Sequence, residues 1–376
     1  MFNVLVLGLV SFLTDVSSEM IYPLLPLYLT RLGAGPAIIG LIEGMAESIA
    51  SLLKVFSGYF SDRLRRRKAL AILGYASSTV GKFLLYLSTS WLWVLGGRLV
   101  DRFGKGVRTA PRDALIADSI DESRRGRAYG LHRALDTAGA VVGVFLAYLF
   151  LTARRGDYTT VFFYSLIPAA LGVGLLSLAK ERRDKIPERK EGLSLSWRAL
   201  PARLKAFLVV IFLFTLGCSS DQFLLLRAKY AGFSDTTVLL LYLVYNLVYA
   251  LSSYPAGRLS DRIGRKALLV AGYAFYGLVY LGFALFSQPI QLWALFAIYG
   301  FYIASTHGVE KAFIADIAPE ELRATLMGLH ATIVGIGLLP ASSLAGLLWR
   351  VFGAPAPFLL GSGLGFLAAL GLWLVI

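Results

Sequence analysis

Twelve times along the chain a run of roughly 20 apolar residues is closed by a short stretch rich in Gly, Pro, Lys or Arg. A bilayer offers no water to backbone N–H and C=O groups, so a chain crosses it only as helices or as a closed barrel. These runs do not alternate apolar with polar residues, which selects helices. Apolar residues make up 57% of the 376 positions and mean hydropathy is +0.68, which leaves too few polar residues to cover a soluble surface. Spans are expected over 4–30, 36–60, 69–88, 91–112, 126–153 and 158–179, then over 204–226, 235–259, 267–286, 289–314, 323–349 and 355–376.

The longest charged stretch, KERRDKIPERKEG from Lys180, lies between the two sets of six. It predicts an N-terminal six-helix bundle over 1–180, a cytoplasmic linker over 181–203 and a C-terminal six-helix bundle over 204–376. The net charge of +14 would point to nucleic acid on a soluble protein. Here Arg63, Arg65, Arg66, Arg67 and Lys68 follow span 2. Arg102, Lys105, Arg108, Arg124, Arg125 and Arg127 flank the loop after span 4, and Arg262, Arg265 and Lys266 follow span 8. Basic loops on one side mark the cytoplasmic face, where anionic lipid is the partner. A multi-pass protein of the inner (cytoplasmic) membrane with both termini cytoplasmic is expected, and no nucleic acid; Arg154 and Arg155 alone run against that orientation. The single cysteine, Cys218, allows no disulfide and no cysteine metal site. No histidine pair has metal-ligand spacing and no G-x-x-x-x-G-K-[ST] is present. No cofactor, metal site or enzyme activity is expected, and an ion gradient is the default source of energy.

The halves repeat one another. Gly58-Tyr-Phe-Ser-Asp62-Arg63 recurs 199 residues on as Gly257-Arg-Leu-Ser-Asp261-Arg262. Ala114-Leu-Ile-Ala-Asp118 and Tyr129-Gly-Leu-His132 recur 198 residues on as Ala312-Phe-Ile-Ala-Asp316 and Met327-Gly-Leu-His330. Ser17-Ser18-Glu19 of span 1 pairs with Ser219-Ser220-Asp221 of span 7. Six spans per half give both repeats the same topology, which requires a pseudo-two-fold axis along the membrane normal and places a central cavity between the bundles.

At these residues the chain resembles the major facilitator superfamily. Gly58-x-x-x-Asp62-Arg63-x-x-Arg66-Arg67 looks like the family's loop 2–3 signature with Arg65 at the usual Gly, and the copy from Gly257 to Lys266 is complete. Arg98-x-x-Asp101-Arg102-x-Gly104-Lys105-Gly106 resembles the span 4 signature whose buried Arg is linked to proton coupling; Asp101 stands at its usual Gln and Arg102 at its first Gly. Gly130, Gly139 and Gly143 on span 5 are similar in spacing to the antiporter signature, with Val144 where its Pro belongs. The resemblance spans the chain and leans to the drug:proton antiporter branch. It implies alternating access in a monomer, a cavity lined by spans 1, 4, 7 and 10, and a cytoplasmic gate at Gly58, Asp62, Arg63, Gly257, Asp261 and Arg262. Small residues at Gly58 and Gly257 are expected to let helices approach closely.

Charges inside the spans are the chemical signal, since each is costly unless it faces water or a partner. Asp15 and Glu19 share one face of span 1, and Glu43 and Glu47 one face of span 2. Arg98 with Asp101, and Arg133 with Asp136, are three apart and able to pair. The proton-coupling candidates are Asp15, Glu19, Glu43, Glu47, Arg98, Asp101 and Asp136. Two carboxylates on one face raise each other's pKa, which singles out Glu19 beside Asp15. The cavity implied by the resemblance adds Tyr22, Asp221, His307 and Glu310, and Tyr245 with Tyr249, one turn apart on span 8, as substrate-facing candidates. Tyr22, Pro23 and Pro26 predict a kink in span 1. His132 and His330 are expected to be packing residues.

The expected function is secondary active transport, with protons driving efflux of a lipophilic or cationic small molecule. A divalent metal held by carboxylates of spans 1, 2 and 7, or a small organic anion held by Arg98, Arg133, Lys82 and Lys311, stands as an alternative substrate. A non-transporting membrane sensor or scaffold is the rival of another class.

Overall fold

The computed structural model describes residues 2–64, 66–120, 125–181, 202–306, 309–310, 313–314 and 323–375, without the side chains of 59, 62–64, 125–126, 254, 257–263, 323–325 and 375. Every regular element among them is helical. The first half runs α1 (Phe2–Ile21), a 3₁₀ turn (Tyr22–Leu24), α2 (Leu25–Arg31), α3 (Pro36–Leu64), α4 (Arg67–Tyr86), α5 (Trp91–Asp118), α6 (Arg125–Ala153) and α7 (Tyr158–Leu176). The second runs α8 (Ala202–Gly217), α9 (Gln222–Tyr230), α10 (Asp235–Ile263), α11 (Arg265–Leu285), α12 (Pro289–Thr306), α13 (Arg323–Phe352) and α14 (Ala356–Val375). This is the all-α membrane fold expected, with α1 and α2 forming span 1 and α8 and α9 forming span 7. Ten of the twelve segments are long and apolar enough to cross a membrane; α3 and α5 fall short because they carry the interior charges.

Contacts divide the chain into two compact units, one of residues 1–34 and 45–191, the other of 35–44 and 192–376. The start of α3 thus groups with the second unit although it lies in the first half of the sequence.

Within the first unit, backbones meet at glycine. A Cβ at Gly81 of α4 would stand 2.5 Å from the backbone nitrogen of Asp101, and one at Gly97 of α5 would stand 2.9 Å from the Gly81 carbonyl. On α6 a Cβ at Gly139 would stand 2.5 Å from the Phe12 carbonyl, and Gly143 faces the Val16 carbonyl in the same way. These contacts hold α5 against α4 and α6 against α1. Gly58 behaves otherwise: a Cβ there would meet Ala110 at an ordinary 3.5 Å. The close approach expected at Gly58 is instead made at Gly106 of α5, whose Cβ would lie 2.5 Å from Leu53.

Two breaks shape the spans. Pro23 and Pro26 lack the N–H that continues an α-helical ladder, and span 1 bends through its 3₁₀ turn where a kink is predicted. Span 7 is interrupted at residues 218–221 with no proline, a break the sequence pattern does not announce. α5 runs six residues past its expected end at 112, to Asp118. Arg102 and Arg108, read from sequence as charges flanking a loop, are buried helical residues here, so they are not topology markers. At the other end of the unit, Asp157 caps α7 by accepting from Thr159 N at 3.0 Å. The hydrogen bond from the Thr160 hydroxyl holds the Asp157 carboxyl below the usual carboxylate range.

Gly139→Ala is expected to cost about 1–3 kcal/mol by forcing α6 off α1, whereas Gly58→Ala should leave stability within about 0.5 kcal/mol. Thermal unfolding of the two purified variants in one detergent checks the contrast; equal midpoints would refute it.

Candidate functional site

The break in span 1 delivers Tyr22 to a cluster of charges from α3 and α5. Glu47 Oε1 lies 3.3 Å from Arg102 Nη1 and 3.9 Å from Arg98 Nη2. Asp101 Oδ2 lies 3.5 Å from Arg98 Nη1 and 3.7 Å from Arg102 Nε. Both guanidinium groups stand over the Tyr22 ring, 5.6 and 5.9 Å from its centroid, where the ring face attracts a cation. Arg98 is 2% exposed and Asp101 5%. Asp101 is the nearest acid to Arg98, as its spacing suggests, but Arg102 and Glu47 complete the set. Lys54 and Lys105 bear on Glu47 electrostatically.

A second group lies between α1 and α6. The Asp15 and Asp136 carboxyls lie within hydrogen-bonding reach of each other. Sequence spacing pairs Asp15 with Glu19; the structure gives its closest acid contact to Asp136, because Gly139 and Gly143 bring the α6 backbone against α1. The Glu19 Cβ itself stands where a Cβ at Gly143 would meet it at 3.1 Å. Asp136 also pairs with Arg133 at 3.2 Å. Arg112 reaches Ser11 Oγ at 3.2 Å and Asp113 at 2.8 Å, and Ser11 Oγ meets His132 Nε2 at 2.8 Å. His132 is therefore a buried, hydrogen-bonded side chain.

Two more cations lie in the interior of this unit. Lys82 Nζ donates to Ser17 Oγ at 2.8 Å and reaches the Thr14 carbonyl at 3.4 Å. Arg108 donates to Ser78 Oγ and lies over the Tyr75 ring at 4.6 Å. Hydroxyls and rings from α1 and α4 solvate these charges in place of water. Sequence reasoning places Arg102, Lys105 and Arg108 outside the interior and does not single out Arg112. The signal that finds them is their spacing of three to four residues, one face of a continuing helix.

In the second unit tyrosines hold the carboxylates. Asp221, at the break in span 7, accepts from Tyr299 Oη at 2.8 Å and from Tyr245 Oη at 3.2 Å. Glu310 accepts from Tyr273 Oη at 2.8 Å, with His330 Nε2 3.6 Å away. His330, expected as a packing residue, is thus an acid's neighbour. Tyr249 is half-buried one turn from Tyr245 on α10. Glu43 is fully buried and lies one turn from Glu47 on the continuous helix α3, as the sequence spacing predicts. His307 and Lys311, and the side chains of the gate candidates Asp62, Arg63, Asp261 and Arg262 together with Gly257, lie outside the described residues. Among the described residues no three His, Cys, Asp or Glu side chains gather as metal ligands.

The family model of the Major Facilitator Superfamily matches residues 7–234 and again 223–376. The chain is 41% identical over 374 residues to an uncharacterised MFS-type transporter of Methanocaldococcus jannaschii, covering 98% of this chain and 93% of that protein. It is 23% identical over 334 residues to a multi-drug resistance efflux pump PmrA homolog of Lactococcus lactis, covering 85% and 81%. Among solved structures, the nucleoside transporter NupG superposes with a TM-score of 0.79 at 15% identity, over 100% of this chain and 99% of that one; at that identity the likeness is one of fold.

Glu47→Gln should cost about 1–3 kcal/mol by leaving two buried guanidinium groups short of an acceptor. Adding Arg102→Gln should recover part of that loss. A double-mutant cycle on thermal stability measures it, and strict additivity would count against the pairing.

Proposed function

The chain belongs to the Major Facilitator Superfamily of membrane transporters, and from that premise we propose that it is a proton-coupled secondary transporter that exports a lipophilic or cationic small molecule by alternating access. The arrangement that carries the proton is the approach of the Asp15 and Asp136 carboxyls to within hydrogen-bonding reach of each other. Two carboxyl groups share a hydrogen bond only when one of them is protonated, so the pair loads and unloads a proton as a unit. Lys105 and Glu19 beside Asp15, and Arg112 and Arg133 beside Asp136, set the field in which it does so. Glu47, Arg98 and Asp101 act beside it as a charge set that responds to the proton. The name of the Lactococcus lactis relative supports efflux as the direction.

In this reading the halves are 1–180 and 204–376, joined by a cytoplasmic linker over 181–203. The protein is a monomer in the cytoplasmic membrane with both termini cytoplasmic, as the basic loops after spans 2 and 8 favour. Gly58, Asp62, Arg63 and their counterparts Gly257, Asp261 and Arg262 form its cytoplasmic gate.

In proteoliposomes with an imposed pH gradient, a cationic dye should be moved by the wild-type protein. Asp15→Asn and Asp136→Asn should each reduce gradient-driven movement by about 100-fold, towards the passive leak, a loss of roughly 2.7 kcal/mol in driving the step, while leaving the protein folded. Unchanged coupling in both variants would move the proton to another carboxylate, Glu19 first. A wild-type protein that moves no cation under any gradient would end the reading.

A further inference from the structure

Among the described residues of the second unit, span 7 departs from continuous helix. α8 stops at Gly217 and α9 starts at Gln222. A helix opened at membrane depth frees backbone groups that side chains, ordered water or a ligand must satisfy. Tyr276 Oη donates to the Gly217 carbonyl at 2.7 Å and Ser220 N donates to Ser342 Oγ at 3.3 Å. Two further tyrosines, from α10 and α12, donate to the two oxygens of Asp221. Their rings lie 5.4 Å apart, and Tyr280 lies 6.2 Å from Tyr299. A carboxylate oxygen that accepts one hydrogen bond has capacity for another, and the tyrosine faces attract positive charge.

The next residue carries the second observation. Gln222 is 0% exposed, and among the described residues neither its carboxamide oxygen nor its nitrogen has a hydrogen-bond partner. A buried amide left unpaired is among the more destabilising groups a folded chain holds, and a leucine or methionine of similar size fills such a space without that cost. The carboxamide is one donor group and one acceptor, on the residue that follows Asp221 at the start of α9.

We propose that Asp221, Gln222, Tyr245 and Tyr299 form a recognition site for a protonated primary or secondary amine that carries a neighbouring hydroxyl or ether oxygen. The ammonium donates to the Asp221 carboxylate and to Gln222 Oε1, its charge rests against the tyrosine faces, and Gln222 Nε2 donates to the neighbouring oxygen. A quaternary ammonium offers the charge without the donors, and a neutral alcohol the reverse. The proposal deepens the efflux reading by naming a substrate class, and it does not depend on the Asp15–Asp136 pair.

The test is equilibrium binding to the purified full chain, read by thermal shift and calorimetry, with 2-amino-1-phenylethanol, its N-trimethyl derivative and the corresponding neutral diol as probes. The amine should bind saturably, the trimethyl derivative at least about tenfold more weakly, and the diol not at all, since one hydrogen bond to a charged group is worth roughly tenfold or more. Tyr299→Phe should weaken the amine by about tenfold, and Asp221→Asn should remove its binding. Gln222→Leu is the decisive variant: it should weaken the amine by about tenfold while the melting point of the ligand-free protein stays level or rises. If Asp221→Asn does not fold, Tyr299→Phe and Gln222→Leu decide alone. No binding by the wild-type protein, equal affinity for the amine and its trimethyl derivative, or a Gln222→Leu protein that melts earlier yet binds as before would each overturn the site. Amine binding with these losses but no transport would count against the transporter reading alone; gradient-driven movement of other cations without amine binding would count against this site alone.

Discussion

A cation held among apolar helices must have a carboxylate, a hydroxyl or an aromatic face beside it, because hydrocarbon cannot solvate it. α5 brings five such groups into the first unit, at Arg98, Arg102, Lys105, Arg108 and Arg112. Besides Asp101 and Asp113 of α5 itself, their complements lie on other elements: Glu47 on α3, Ser78 and Tyr75 on α4, Ser11 on α1, Tyr22 at the break of span 1. The charges therefore act as cross-links between helices that have little hydrophobic reason to associate when both already sit in lipid. That is also why α3 and α5 can remain in the membrane despite falling short as apolar segments.

Close backbone approach is the companion condition. A carboxylate side chain is short, so Asp136 meets Asp15 only if α6 and α1 nearly touch, and Gly139 and Gly143 remove the side chains that would hold them apart. The glycine spacing that resembles an antiporter signature thus has a local purpose: it positions an acid pair. The missing proline of that signature, with Val144 in its place, leaves α6 continuous through this contact.

The second unit reaches the same end by other means. Its carboxylates Asp221 and Glu310 accept hydrogen bonds from phenolic hydroxyls, on a ladder of aromatic rings from α10, α11 and α12. Ion pairs in one unit and tyrosine hydroxyls in the other divide the chemistry: one set suits a change of charge, the other recognition of a charged molecule with an apolar body. Membership of the superfamily fixes the architecture far better than the substrate, so the substrate has to be argued from these side chains.

The twelve spans were legible from sequence to within a few residues at most ends, because hydrocarbon imposes its length on any segment that crosses it. The repeated Gly-x-x-x-Asp-Arg element, the kink at Tyr22–Leu24 and the Arg98–Asp101 and Arg133–Asp136 pairs were legible as well, since all are local in the chain. What tertiary structure alone decided was which distant groups meet. The meeting of Asp15 with Asp136, the convergence of Tyr245 and Tyr299 on Asp221 and the burial of Arg102 and Arg108 all depend on which helix faces which. The unannounced break in span 7 belongs to the same class. A helical period shows which residues share a face, but the identity of the opposing helix is set by packing over the whole unit, and no spacing within one span encodes it.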